Sequence, residues 1–242
     1  MTKKNEDNIP AEYINYYNNH KKIYGEKSFV LMQVGSFYEA YSTDDDGPDL
    51  YIIADLLNIA KTRRNPNDKK ITHMIGFPTP AIDKFLQILI DDSFTVMIID
   101  QVTPAPNPKR KITGIYSKGN YISNTYSPES NFIASLYFEE LPQKNLKPLL
   151  CVGMSSIDLS TGEVIVHETI SSTVDSKLAL DECNRFLLFL NPKEIVLNFN
   201  TLTHNKKDFI FDYLELEGKF YHNREFNKKF SKINYQTEVL NN

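Results

Sequence analysis

Two cysteines, Cys151 and Cys183, are all that 242 residues contain, which excludes a disulfide-built fold. Neither has the CxxC or Cys/His spacing that would hold a metal. The five histidines, His20, His73, His167, His204 and His222, are scattered without ligand spacing. Glycine is also scarce, at nine residues. No G-x-x-x-x-G-K-[ST] loop or other glycine-rich phosphate cradle occurs. Long apolar runs are missing as well: the most apolar stretch, Phe85 to Ile99, is cut by Asp91 and Asp92, and the opening MTKKNEDNIP is charged. The reading is an intracellular chain with no membrane partner. Only five of the 27 basic residues are arginine, a bias that resembles an AT-rich genome more than selection on function.

What is present is ordinary globular usage, 41% hydrophobic and 24% charged, in a chain long enough for one large or two small domains. With 31 acidic residues against 27 basic and a net charge of −4, any nucleic-acid contact requires a local basic patch.

Tyr13, Tyr17 and Tyr24 repeat at helical spacing and predict a helix over 12–24. Phe29–Val34 and Phe37–Tyr41 read as strands joined through Gly35 and Ser36 by a tight hairpin or a sharp bend. Asp49 is placed to cap a helix through Leu57 and Ile59, which the polar loop 61–70 ends. A strand at 71–75, a helix from Pro80 with the stripe Ile82, Phe85, Leu86, Leu89 and Ile90, and a strand at 94–99 follow. A proline-rich loop, 103–108, leads to an extended segment over 109–116. Farther on, strands at 132–138, 149–157 and 163–169 form a meander, followed by a helix at 176–190 and a strand at 194–199. A helix over 208–217 and a short segment at 219–222 complete the pattern. This predicts an α/β chain: a mixed-sheet domain over 1–120, a linker over 121–130, and a second domain over 131–242. The β, β, β, α, β order of the second is characteristic of ribonuclease-H-like sheets, and many other α/β domains share it.

Two aromatics and a carboxylate follow the glycine bend in Gly35-Ser36-Phe37-Tyr38-Glu39. A bulky side chain projecting from a bend can wedge between base steps and unstack them, while a neighbouring polar group bonds an exposed base edge. The alternative is a strand edge whose Phe and Tyr are core. Five positive charges lie in the loop 61–70, at Lys61, Arg63, Arg64, Lys69 and Lys70, and three more at Lys109, Arg110 and Lys111. Such clusters are either phosphate contacts or solvated loops.

Val34-Gly35-Ser36-Phe37-Tyr38-Glu39-Ala40 resembles the G-x-F-Y-E signature of the mismatch-recognition domain of MutS proteins. Thr62-Arg63-Arg64 resembles that family's basic turn, Gly76-Phe77-Pro78 its G-x-P turn, Asp100-Gln101 its acidic-Gln pair, and Ser117-Lys118-Gly119-Asn120 its TPGT end marker. Asp158-Leu159-Ser160-Thr161-Gly162-Glu163 and Asn191-Pro192-Lys193-Glu194-Ile195 are similar to motifs of its connector domain, in the family's order. The resemblance implies a mixed-sheet MutS N-terminal domain followed by a ribonuclease-H-like connector. It implies that Phe37 stacks on a mispaired base and Glu39 hydrogen-bonds it, with Gly35 and Tyr38 in the same site. It favours Lys61, Arg63, Arg64, Lys69, Lys70, Lys109 and Arg110 as contacts to the DNA backbone. Partners are then duplex DNA with mismatches or small loops, and the remaining MutS domains or repair factors.

Ser36 stands where the family has Asp, and Thr79-Pro80 where it has Tyr-His, so no preference among mismatches carries over. The Ser-Phe-Tyr-Glu form is similar to the MutS branch of large DNA viruses and some mitochondria. Without a P-loop, the chain reads as a non-enzyme with no cofactor of its own. ATP and Mg would act only through an ATPase domain that these residues lack. Because 234–242 looks like the opening of another helix, the connector reads as truncated. Two other readings stand beside this one: a non-catalytic adaptor derived from MutS, and a metal-dependent ribonuclease-H-like nuclease using Asp158 with Glu163, Glu168 or Asp175.

Overall fold

The computed structural model describes residues 9–63, 72–104, 108–121, 130–217, 221–225 and 227–241. The chain divides into two units, residues 1–127 and 128–242, each with a mixed α/β architecture.

In the first unit, helix α1 (Ile9–Tyr24) precedes β1 (Ser28–Val34), β2 (Phe37–Thr43), α2 (Leu50–Leu57), β3 (Thr62–Arg63) and β4 (Thr72–Pro78). A 3-10 turn (Thr79–Ala81) leads into α3 (Ile82–Asp91), β5 (Thr95–Gln101) and β6 (Arg110–Tyr116). The six strands form one sheet in the order β3-β4-β2-β1-β5-β6. Only β1 and β5 run parallel; the other neighbours are antiparallel.

Side chains alternate between the faces of a strand, and that alternation divides the core. On one face Tyr41 meets Tyr13 of α1 edge-on, with ring centroids 5.6 Å apart, and the Tyr13 hydroxyl donates to the carbonyl of Val30 at 2.9 Å. On the other face Tyr38 neighbours Phe77, which packs on Phe85 of α3 at 4.3 Å. The α3 stripe buries Phe85, Leu86, Leu89 and Ile90, as its spacing predicts. Asp49 caps α2, accepting from the N–H groups of Tyr51 and Ile52.

Several elements differ from the sequence reading. Helix α1 starts at Ile9, with Pro10 tolerated in its first turn. Gly76-Phe77-Pro78 is strand and not turn, since each pairs with a residue of β2. Thr62 and Arg63 form a short edge strand, pairing with Met74 and His73. Most of the loop 61–70, the first residue of the strand predicted at 71–75, and most of the linker 121–130 lie outside the described residues.

In the second unit, β7 (Phe132–Gln143), β8 (Leu146–Asp158) and β9 (Val164–Ile170) make the expected antiparallel meander. Helix α4 (Leu178–Leu190) returns the chain to β10 (Glu194–Asn200), which runs parallel to β7. Helix α5 (His204–Tyr213), β11 (Tyr221–Glu225) and α6 (Ile233–Leu240) follow, and the sheet order is β11-β10-β7-β8-β9. Leu136, Phe138, Met154 and Leu197 are buried in one cluster with Leu180, Cys183 and Leu187 of α4 and Ile210 of α5. Helix α5 begins four residues before the predicted 208 and ends at Tyr213 because Glu215 adopts a left-handed φ of 50°.

Asp158 closes the turn between β8 and β9. Its Oδ1 accepts from the N–H of Asn131 at 3.1 Å and from the N–H of Ser160 at 2.9 Å. The Ser160 hydroxyl donates to the same oxygen. The bonds from Ser160 lead in lowering the carboxyl pKa to about 2.

Two outcomes follow for stability. A carboxylate with a depressed pKa contributes stability in full above its unfolded value, about 3.9, and loses it as pH falls through the folded value. Asp158→Ala is therefore expected to lower the thermal midpoint of the second unit at pH 7, with the difference from native protein shrinking toward pH 2. His20 carries the opposite kind of shift: its Nε2 donates to the carbonyl of Thr95 at 2.9 Å, and burial pushes its pKa down. The unfolded chain then takes up the proton first, so stability is complete above about pH 6.5 and declines below it. Between pH 7.5 and 5.5 the first unit's midpoint should fall more in native protein than in His20→Gln, read by circular dichroism.

Candidate nucleic-acid interface

The hairpin β1–β2 turns over only two residues, Gly35 and Ser36, with Val34 paired to Phe37. Gly35 takes a φ of +62°, a conformation that costs glycine little and other residues more. Phe37 therefore heads β2 and is 44% exposed, while Tyr38, Ala40 and Tyr41 behind it are buried. Pro78 lies opposite Phe37 on the neighbouring strand.

Phe37, Glu39 and Tyr41 share one face of β2 by alternation. The Tyr41 hydroxyl, fixed under α1 by Tyr13, donates to Oε2 of Glu39. Gly76 sits across from Glu39, and a Cβ there would stand 3.2 Å from the Glu39 Cγ and 3.1 Å from the Tyr38 carbonyl. The missing side chain leaves Glu39 its room.

Tyr38 points to the opposite face, where its hydroxyl donates to Oδ1 of Asp100 at 2.6 Å. The Thr113 hydroxyl donates to the other carboxylate oxygen at 2.6 Å. Burial, and then the bond to Asp100, push the Tyr38 phenol well above its ordinary value, so it remains a donor at any neutral pH. Tyr38 is thus a core anchor beneath the exposed ring, as in the alternative reading for that residue, whereas Phe37 is not core.

The basic residues separate. Lys109 is exposed beside the loop that begins at Val102. Lys61 is folded back, with Nζ over the Tyr51 ring and no hydrogen-bond partner among the described residues. Arg63 lies in β3; its side chain, together with Arg64, Lys69 and Lys70, falls outside the described residues. Arg110 corrects the sequence reading: its side chain is only 8% exposed and pairs with Glu12 at 3.2 Å. Its Nε also donates to the carbonyl of Gln33 at 3.1 Å. A guanidinium consumed by two internal acceptors is a structural tie and not a phosphate contact. Gln33, which bonds both β5 and the turn, was missed; the available signal was a single polar residue inside the apolar run 29–34.

Residues 12–125 match the family model described as MutS domain I. The chain belongs to the MutS family. It is 34% identical over 96% of its length to a DNA mismatch repair protein MutS homologue of Acanthamoeba polyphaga mimivirus. It is 29% identical over 76% of its length to DNA mismatch repair protein MutS of Rickettsia rickettsii. It covers 22% and 20% of those two proteins, so it spans about a fifth of the curated relatives it matches. Among solved structures, RNase H1 of Halobacterium salinarum superimposes with a TM-score of 0.28 at 12% identity, over 40% of this chain and 88% of that one.

Removing the Tyr38 hydroxyl leaves Asp100 with one donor fewer in a partly buried position. Tyr38→Phe is expected to destabilise the first unit by about 1–2 kcal/mol in urea unfolding, with Phe37 left exposed at the head of β2.

Proposed function

We propose that this chain is the mismatch-contacting module of a MutS-type repair protein. The observation that carries this reading is the exposed Phe37 ring at the head of a tightly turned hairpin whose other aromatics are buried. In this reading Phe37 enters from the minor groove and stacks on a mispaired base, and Glu39 hydrogen-bonds that base. A mismatch is already poorly stacked, so unstacking it costs less than the few kcal/mol per step of paired DNA. Glu39 also repels surrounding phosphates wherever it gains no base contact, which disfavours matched duplex.

Lys109 and the basic residues Arg63, Arg64, Lys69 and Lys70 supply phosphate contacts that position the protein without reading sequence, while Lys61 stays folded on Tyr51. Partners are duplex DNA with mismatches or small loops, together with further MutS domains or repair factors. The second unit acts as a non-catalytic, ribonuclease-H-like connector, a reading supported by its β7-β8-β9-α4-β10 order. Asp158 is engaged in closing its own turn, Glu168 accepts from the Cys151 thiol at 3.5 Å, and Asp175 accepts from the N–H groups of Lys177 and Leu178 at the start of α4. Among the described residues no three His, Cys, Asp or Glu side chains converge as a metal cluster.

Binding to a G·T-mismatched duplex and its matched control, at low salt, tests this. Native protein should prefer the mismatch, and Phe37→Ala should reduce mismatch affinity by roughly tenfold or more. Weak, salt-sensitive binding to both duplexes should persist in the variant. Absence of binding, or a preference that survives the substitution, overturns the reading.

A further inference from the structure

The turn that presents Phe37 is held by more than its own strands. Gln33 interrupts the apolar run Phe29–Val34, and its amide joins two elements. Its Oε1 accepts the main-chain N–H of Gln101 at the end of β5 at 2.9 Å. Its Nε2 donates to the Gly35 carbonyl, inside the turn, at 3.1 Å. The Gln33 main-chain carbonyl is itself fixed by Arg110, which Glu12 of α1 holds from behind. On the far side of the turn, the N–H of Thr79 donates to the Ser36 carbonyl at 2.9 Å.

Packing does not do this work at Gly35. Among the described residues, no heavy atom outside Gly35 and its two chain neighbours lies within 4 Å of the place a Cβ would occupy there, so the glycine is required by its φ and not by crowding. Hydrogen bonds are what restrain the turn on that side.

We infer that Gln33, braced by the Arg110–Glu12 pair, is a positioning residue that sets how strongly the protein prefers mismatched over matched duplex, by fixing the turn that carries Phe37. This rests on the reading of Phe37 as the wedge. A loose turn loses conformational freedom when its ring inserts, and that cost falls only on the inserted complex. A complex held by phosphates alone never seats the ring and is indifferent to the turn. Loosening the turn should therefore reduce mismatch affinity and spare matched-duplex affinity.

The chain contains no tryptophan, so Phe37→Trp places its one indole at the wedge, excited selectively at wavelengths beyond tyrosine absorption. Time-resolved anisotropy of that indole in DNA-free protein reports how firmly the turn holds it, with and without Gln33→Leu. In protein that keeps Phe37, Gln33→Leu is expected to lower the mismatch-to-matched affinity ratio about three- to tenfold, with matched binding within about twofold. The indole should gain fast local motion. Gln33→Glu keeps the acceptor for Gln101 and loses the donor to Gly35, and should behave alike. Glu12→Gln, at the far end of the same chain of contacts, should act in the same direction more weakly and serves if Gln33→Leu fails to fold. An unchanged anisotropy decay overturns the inference, and so does a mobile indole with an unchanged affinity ratio. If native protein does not distinguish the duplexes, the wedge reading falls, and the anisotropy measurement alone then decides whether Gln33 positions residue 37.

Discussion

The central hairpin constrains the rest of the first unit. With only Gly35 and Ser36 between β1 and β2, Val34 must pair with Phe37, and a slip of one residue would exchange every side chain on β2 between the two faces. Such a slip would push Tyr41 out from beneath α1 and put Phe37 into the core. The buried Tyr13–Tyr41 contact and the Tyr38–Asp100 hydrogen bond each fix the same register from opposite faces. An aromatic ring stays in water at the head of β2 because the residues behind it cannot move without breaking both.

Around this hairpin, polar contacts are concentrated where the apolar core thins out. The α1 face is closed by Tyr13, Tyr17 and His20, but toward the turn the interactions become hydrogen bonds and one ion pair: Gln33 to Gly35 and Gln101, Arg110 to Glu12. Directional bonds of this kind hold a geometry more tightly than apolar contact of the same extent. The turn before Phe37 is therefore held by bonds and not by packing alone. The second unit has the complementary economy: its sheet buries one face under α4 and α5, and Asp158 is spent on closing a turn.

Much of the architecture is legible in the sequence alone. The α3 stripe, the Asp49 cap and the meander of the second unit all follow from periodicity and capping chemistry, which act over a few residues. Membership of the MutS family was carried by short motifs in a fixed order. Errors arose where long-range pairing decided the outcome. Gly76-Phe77-Pro78 contains the residues of a turn, yet β2 recruits it as strand. Helix α5 ends early for a local reason instead: Glu215 adopts a left-handed conformation that its side chain does not announce.

The site divides along the same line. A reversal or bend at Gly35-Ser36, the alternation along the strand that follows it, and the family resemblance are all legible in the sequence, because these depend on the chemistry of adjacent residues; that the bend is a two-residue hairpin is settled by the pairing of Val34 with Phe37. Which charges and rings are exposed follows from contacts between distant segments. Arg110 sits between two lysines in sequence, but a partner 98 positions away takes it out of solvent, and Lys61 folds onto Tyr51. Tyr38 and Phe37 are neighbours of similar size, and one is a buried anchor while the other is exposed. Which of two adjacent aromatics a sheet covers depends on the helices packed over it, and those contacts form between segments far apart in the chain.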